Sequence, residues 1–107
     1  MNPEPQSRPS LTNVDRLIHE PSRSVILAVL SAVQSADFLY LLHETGLTKG
    51  NLTVHLSKLE AAGYIKIEKT YRGKLPLTLC SITEQGRLAF ENYRNQLKQF
   101  LDAGDEQ

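Results

Sequence analysis

The stretch LTKGNLTVHLSKLEAAGYIKIEK, residues 47–69, changes its apolar period halfway along, and that change decides the architecture. Leu52, Leu56 and Leu59 recur at i, i+4 and i+7, which places them on one face of a helix. Thr48 precedes the periodic run with a hydroxyl able to cap the helix start, and Gly63 follows it as a stop. Beyond Gly63 the period falls to two: in YIKIEKTY (Tyr64–Tyr71), Ile65 and Ile67 alternate with Lys66 and Glu68, the pattern of a half-buried strand.

Upstream, Phe38, Leu41 and Leu42 share one side of a shorter helix that Ser35 or Asp37 can cap, and Gly46 ends it. Residues 38–63 therefore read as helix, tight glycine turn, helix, the helix-turn-helix arrangement. Downstream, Arg72-Gly73-Lys74 supplies a turn, and LTLCSI (Leu77–Ile82) returns as a second strand, giving a β-hairpin with a basic tip. Ile26, Val29, Leu30 and Val33 give a further helix that starts at Pro21 a buried stripe. Before it, Leu11, Val14, Leu17 and Ile18 have the spacing of a short helix. After the hairpin, Thr83 caps a long helix in which Phe90, Tyr93, Leu97 and Phe100 form a seam with coiled-coil spacing. The expected fold class is mainly α with a small β-hairpin (α+β), a winged helix-turn-helix. Flexible tails are expected at 1–10 and 103–107 around one domain at 11–102.

The outer helices carry more apolar surface than one small core requires, and a coiled-coil seam of about two heptads does not stand alone in water. A homodimer interface is therefore expected from Leu11, Val14, Leu17 and Ile18 of the first helix with Phe90, Tyr93, Leu97, Phe100 and Leu101 of the last. Both helices covering a monomer core is the alternative.

The chain has 107 residues, 40% of them hydrophobic and 22% charged, and its net charge is zero. The charge is unevenly placed. Between Thr48 and Lys74 stand Lys49, Lys58, Lys66, Lys69, Arg72 and Lys74 against only Glu60 and Glu68, an excess of four positive charges. A basic segment on a neutral chain is the footprint expected when one face meets phosphates. With Leu52, Leu56 and Leu59 inward, Lys49, Gly50, Asn51, Thr53, Val54, Ser57 and Lys58 cover the outward side of the helix. Lysine and asparagine near its start suit base edges in a major groove, and Val54 suits a thymine methyl. Thr48, Thr53 and Ser57 suit phosphates. Threonine, serine and asparagine are weaker helix formers than Glu, Lys or Gln, and Gly50 costs up to about 1 kcal/mol against alanine, so this face is not one chosen for stability. Lys69, Tyr71, Arg72 and Lys74 surround the hairpin tip, where Arg72 can reach a minor groove or a flanking phosphate.

Several classes are disfavoured. No phosphate-binding glycine loop, nucleophile triad or paired-carboxylate signature stands out, so no enzyme is expected. Cys80 is the lone cysteine, which excludes an intramolecular disulfide and a cysteine-rich zinc site. His19, His43 and His55 fall on separate elements without ligand spacing, so neither metal nor cofactor is expected. His55, between Val54 and Leu56, is expected to pack near the helix–strand junction. A thiol in a strand with no adjacent cation is a structural residue rather than a redox sensor. No apolar run reaches membrane-spanning length and no signal peptide is evident, so the expected location is cytoplasmic.

The motif Leu52-Thr53-x-His55-Leu56-x-x-Leu59-x-x-x-Gly63 resembles the recognition helix shared by the arsenic-resistance (ArsR) and multiple-antibiotic-resistance (MarR) families of regulators. Glu20-Pro21-Ser22-Arg23 with Ile26, Leu27 and Leu30 resembles the start of the ArsR-type core, and Thr70–Tyr93 resembles the wing and the start of the last helix. Overall, Leu11–Leu101 is most similar to compact stand-alone winged-helix domains related to MarR. The resemblance implies a regulator that binds double-stranded DNA as a homodimer, with its recognition helix (about 48–62) in the major groove and its wing (about 64–82) on the flanking backbone or in the minor groove. The Cys-x-Cys pair of metal-sensing members is missing. The chain is also shorter than MarR-type proteins that hold phenolic effectors, so a small-molecule effector is left open. The competing reading is a winged-helix module that docks on another protein, which an apolar or acidic outward face on the recognition helix would favour.

Overall fold

In the computed structural model, which describes residues 10–105, four helices and a small antiparallel sheet follow the order α1 (Pro21–Ser31), β1 (Ala36–Asp37), α2 (Phe38–Thr45), α3 (Lys49–Ala61), β2 (Ile65–Arg72), β3 (Leu75–Ile82), α4 (Glu84–Asp105). The helix boundaries come from local chemistry. Glu20 caps α1 by accepting from the Arg23 amide, and Pro21 follows at the helix start, where a missing N–H costs nothing. Asp37 caps α2 through the Tyr40 amide at 2.7 Å. Gly46 ends α2 at φ 70°, a left-handed conformation that glycine adopts without a Cβ clash. Thr48 caps α3 through the Asn51 amide at 3.2 Å, and Thr83 caps α4 through the Gly86 amide at 2.9 Å.

The core is one cluster. Ile26, Leu27 and Leu30 of α1, Leu41 of α2, Leu52 and Leu59 of α3, and Cys80 of β3 are all fully buried. Ile65 closes the cluster below and Phe90 and Tyr93 of α4 close it above, each nearly buried. α4 begins directly against the hairpin root: a Cβ on Gly86 would lie 2.0 Å from the Tyr64 carbonyl oxygen, so only glycine permits this crossing. Thr83 ties the same corner by donating to the Gly63 carbonyl at 2.7 Å.

Three expectations are corrected. The segment 11–20 is a succession of turns, not a helix. Asp15 is the reason: its Oδ1 accepts from the amides of Leu17 and Ile18, so its side chain competes with helical backbone bonding. The apolar spacing survives, because Val14 and Ile18 are still buried in the core. Second, a two-residue strand, β1, pairs Ala36 with Cys80 and Asp37 with Leu79, so the hairpin becomes a three-stranded sheet of order β1-β3-β2. Third, α4 continues to Asp105, past the domain end expected at residue 102. The tails expected at 1–10 and 103–107 otherwise fall largely on residues 1–9 and 106–107, outside the described residues. Among the described residues, no helix is long and apolar enough to cross a membrane.

Candidate nucleic-acid interface

On α3 the burial pattern separates two faces. Leu52, Leu56 and Leu59 are buried, while Thr48, Lys49, Gly50, Asn51, Thr53, Val54, Ser57 and Lys58 are all exposed, Val54 at 51%. The outward face therefore holds every residue expected on it. The polar chemistry within it is not uniform. The Thr53 hydroxyl donates to the Lys49 carbonyl at 2.8 Å, so its proton is engaged within the helix. The Thr48 oxygen accepts from the Asn51 amide, which leaves its own O–H free to donate outward. A space with nothing within 4 Å of a Cβ surrounds Gly50, so bare backbone is open to solvent there.

The hairpin register sorts the wing residues onto two faces. Ile65 stands opposite Ile82, Ile67 opposite Cys80, Lys69 opposite Thr78 and Tyr71 opposite Pro76. Side chains alternate along a strand, so Lys69 and Tyr71 share the helix-side face with Ile65 and Ile67. Arg72 shares the opposite face with Lys66 and Glu68, which pair with each other at 3.7 Å. Lys69 thus meets α3 across a groove of about 270 Å³ lined by Phe38, Thr53, Leu56, Ser57, Glu60, Ile67 and Thr78. Arg72 and Lys74 flank the turn at Gly73 (φ 64°) and stand beyond that groove. Among the described residues, Lys49, Lys58, Lys69, Arg72 and Lys74 have no carboxylate within salt-bridge distance. Five unneutralised cations thus distribute over one helix face and one hairpin.

Sequence reasoning missed the polar contacts behind this surface. His55 makes a contact that the sequence does not announce. Its Nδ1 lies 3.1 Å from Arg23 Nη1, at the start of α1. Tyr64, at the wing root, donates its hydroxyl to Asp15 Oδ2. That bond, joined by burial and the Asp15 charge, pushes the phenol up to about 12. Each pair joins residues far apart in the chain, so no local spacing announces it. Cys80 is fully buried, and burial with the nearby Glu60 charge pushes its thiol up to about 11, away from thiolate chemistry. No group of three or more His, Cys, Asp and Glu residues suited to a metal ion occurs among the described residues.

Of the residues expected at a dimer interface, Val14, Ile18, Phe90 and Tyr93 are buried within one chain, between 0% and 7% exposed. Leu11, Leu17 and Leu97 are half-buried, while Phe100 and Leu101 are 43% and 56% exposed. The seam of α4 therefore serves the core in its first half and lies open in its second.

A tri-helical core carrying a hairpin beside an exposed basic helix defines the winged helix-turn-helix class. The chain belongs to the winged helix DNA-binding domain family, whose profile matches residues 23–101. It is 36% identical over 84 residues to an uncharacterised protein of Methanocaldococcus jannaschii, covering 78% of this chain and 91% of that one. A solved transcriptional regulator homologue from Pyrococcus horikoshii superposes with a TM-score of 0.81 at 28% identity, over 85% of this chain and 90% of that one. A solved ArsR family transcriptional regulator shares the fold at a TM-score of 0.55 and 19% identity, over 96% and 98% of the two chains. The winged helix-turn-helix read from the sequence is upheld, and the domain is a winged helix DNA-binding domain.

Proposed function

We propose that the protein is a sequence-specific transcriptional regulator that binds double-stranded DNA as a cytoplasmic homodimer. The observation that carries this reading is the polar outward face of α3, whose Lys49 and Lys58 have no carboxylate within salt-bridge distance among the described residues, standing across a groove from Lys69 of the wing. α3 enters the major groove, where Lys49 and Asn51 meet base edges and Val54 meets a thymine methyl. Thr48 donates to a phosphate, together with the unpaired amides that any helix start presents. Ser57 and Lys58 contact the backbone further along, and Thr53 contributes contact through its methyl. Gly50 lets the backbone approach. Lys69 and Tyr71 follow the strand adjoining α3, while Arg72 and Lys74 reach a flanking phosphate or the minor groove. An interaction module would present an apolar or acidic α3 face, and this one is neither.

The dimer is carried by the open half of the α4 seam, Leu97, Phe100 and Leu101, with Leu11 and Leu17 at its margin. The four residues buried within one chain support that surface from beneath. Replacing Phe100 and Leu101 by glutamate is expected to give a monomer by sedimentation with its fold intact. If the parent chain already sediments as a monomer at tens of micromolar, the dimer is wrong.

The test of function is selection of bound duplexes from a random library, followed by affinity against salt. The expected product is a palindrome with half-sites about one helical turn apart, bound with a steep salt dependence. A library that stays flat, with negligible affinity at low salt, would remove the DNA reading.

A further inference from the structure

Leu52, Leu56 and Leu59 decide which face of α3 turns outward, but apolar contact is non-directional and leaves the fine rotation of the helix loosely defined. Base readout demands the opposite, since donors must meet base edges within hydrogen-bond geometry. The inward side of α3 carries Leu52, Leu56 and Leu59, together with one half-buried polar residue, His55. Among the described residues, the only hydrogen bond from an α3 side chain to another element is the one between His55 Nδ1 and Arg23 Nη1, at 3.1 Å. Arg23 is itself held twice more. Its Nε donates to the Leu17 carbonyl at 2.6 Å, and its amide donates to Glu20 Oε1 at 2.9 Å. The same Glu20 carboxylate stands 3.9 Å from His55 Nδ1.

We infer that Arg23 and His55 are positioning residues for DNA recognition: Arg23 anchors the rotation of α3 to the first turn of α1 and to the 11–20 segment, and so sets where Lys49 and Asn51 point. This rests on the proposed DNA-binding reading. A guanidinium only donates, so His55 must accept at Nδ1 and carry its proton on Nε2. The bond is charge-assisted and half-buried, the class of contact that resists bending most. Lys49 and Asn51 lie on the turn or two of α3 preceding His55, and a rotation of the helix displaces them directly.

The proposal has a structural consequence independent of DNA. Nitrogen NMR of the His55 ring in the full chain should show an unprotonated Nδ1 and a protonated Nε2 at neutral pH; a proton on Nδ1 overturns it. The functional test uses His55→Leu, which keeps much of the volume and removes the acceptor, and His55→Asn, which restores an acceptor near the Nδ1 position. Against the duplex selected by the parent chain, His55→Leu should lose about tenfold in affinity, the size of one hydrogen bond to a charged partner. Binding to unrelated duplex should hardly change, so the specificity ratio falls, and His55→Asn should recover most of it. Arg23→Met should match His55→Leu, and the double variant should lose little more than either. Equal loss on both duplexes, or a fall in thermal midpoint with the ratio intact, would reduce the pair to a packing contact. If the parent chain selects no duplex, the DNA reading fails instead, and the positioning role falls with it whatever the ring tautomer.

Discussion

α3 and the wing both present cations outward, yet they are held in opposite ways. α3 is fastened along its length by Leu52, Leu56 and Leu59 and by the Arg23 contact to His55. The wing is fastened only at its root, where Ile65 and Cys80 are buried, while Tyr71 and Leu75 near its tip are each 70% exposed. The physics of the two tasks differs in the same sense. Base edges must be met by groups fixed to within a fraction of an ångström, whereas a phosphate is met by a charge that tolerates motion. On the proposed reading, the packing builds a firmly held helix for the bases beside a freer hairpin for the phosphates.

The largest effect is expected where the two regions share a foundation. Gly86→Ala forces a Cβ against the Tyr64 backbone oxygen, which no side-chain rotation relieves. It should cost about 3 kcal/mol or more, seen as a collapse of the denaturation midpoint. Leu52→Ala follows at about 3 kcal/mol, whereas Leu75→Ala at the wing tip should stay within about 0.5 kcal/mol. Similar losses at both sites would erase the contrast between fastened helix and free hairpin.

At the DNA level the contrast becomes one of kind. Lys49→Ala and Asn51→Ala should each reduce discrimination by about 1–3 kcal/mol. Arg72→Ala should weaken all duplexes alike and lower the salt slope by about one. Indistinguishable behaviour of all three in binding titrations would mean that helix and wing do not divide the labour.

Alkaline pH probes the root. Tyr64 rises from 10.0 to about 12, chiefly through its bond to Asp15, and Cys80 rises from 9.0 to about 11, chiefly through burial. Both folded-state values lie above the unfolded ones, so their contribution is complete below about pH 9. It is lost as the unfolded chain deprotonates first and pH climbs through the folded values. The thermal midpoint should therefore fall between about pH 9 and 12, and Cys80→Ala should flatten part of that fall.

The smallest effect is expected at Gly50, which has open space around it inside a helix. Gly50→Ala should raise stability by about 0.5–1 kcal/mol while weakening DNA binding. A variant both more stable and equally tight would show that no backbone approaches DNA there.

Much of the site was legible because local rules govern it. The spacing of Leu52, Leu56 and Leu59 assigns the outward residues by subtraction, and Asp37, Thr48 and Thr83 mark three helix starts through side-chain capping. The readings that failed are those where a side chain overrides a pattern. The spacing of Leu11, Val14, Leu17 and Ile18 is helical, but the Asp15 carboxylate takes the Leu17 and Ile18 amides and breaks the run into turns. β1 has two residues and so no period to read. It exists because Cys80 and Leu79 of β3 offer backbone partners to Ala36 and Asp37.

The sequence by itself determined the succession of the four helices and the hairpin from Pro21 onward, the inward and outward faces of α3 and the basic character of the segment at 48–74, since each follows from periodicity, capping and charge within a few residues. Only the tertiary structure decided which apolar residues of the outer segments are buried in the core and which stay exposed. It alone brought Arg23 to His55 and Asp15 to Tyr64, and seated α4 on the wing root at Gly86. Those contacts join residues separated by tens of positions, and their existence depends on how the whole core closes rather than on any neighbour in the chain.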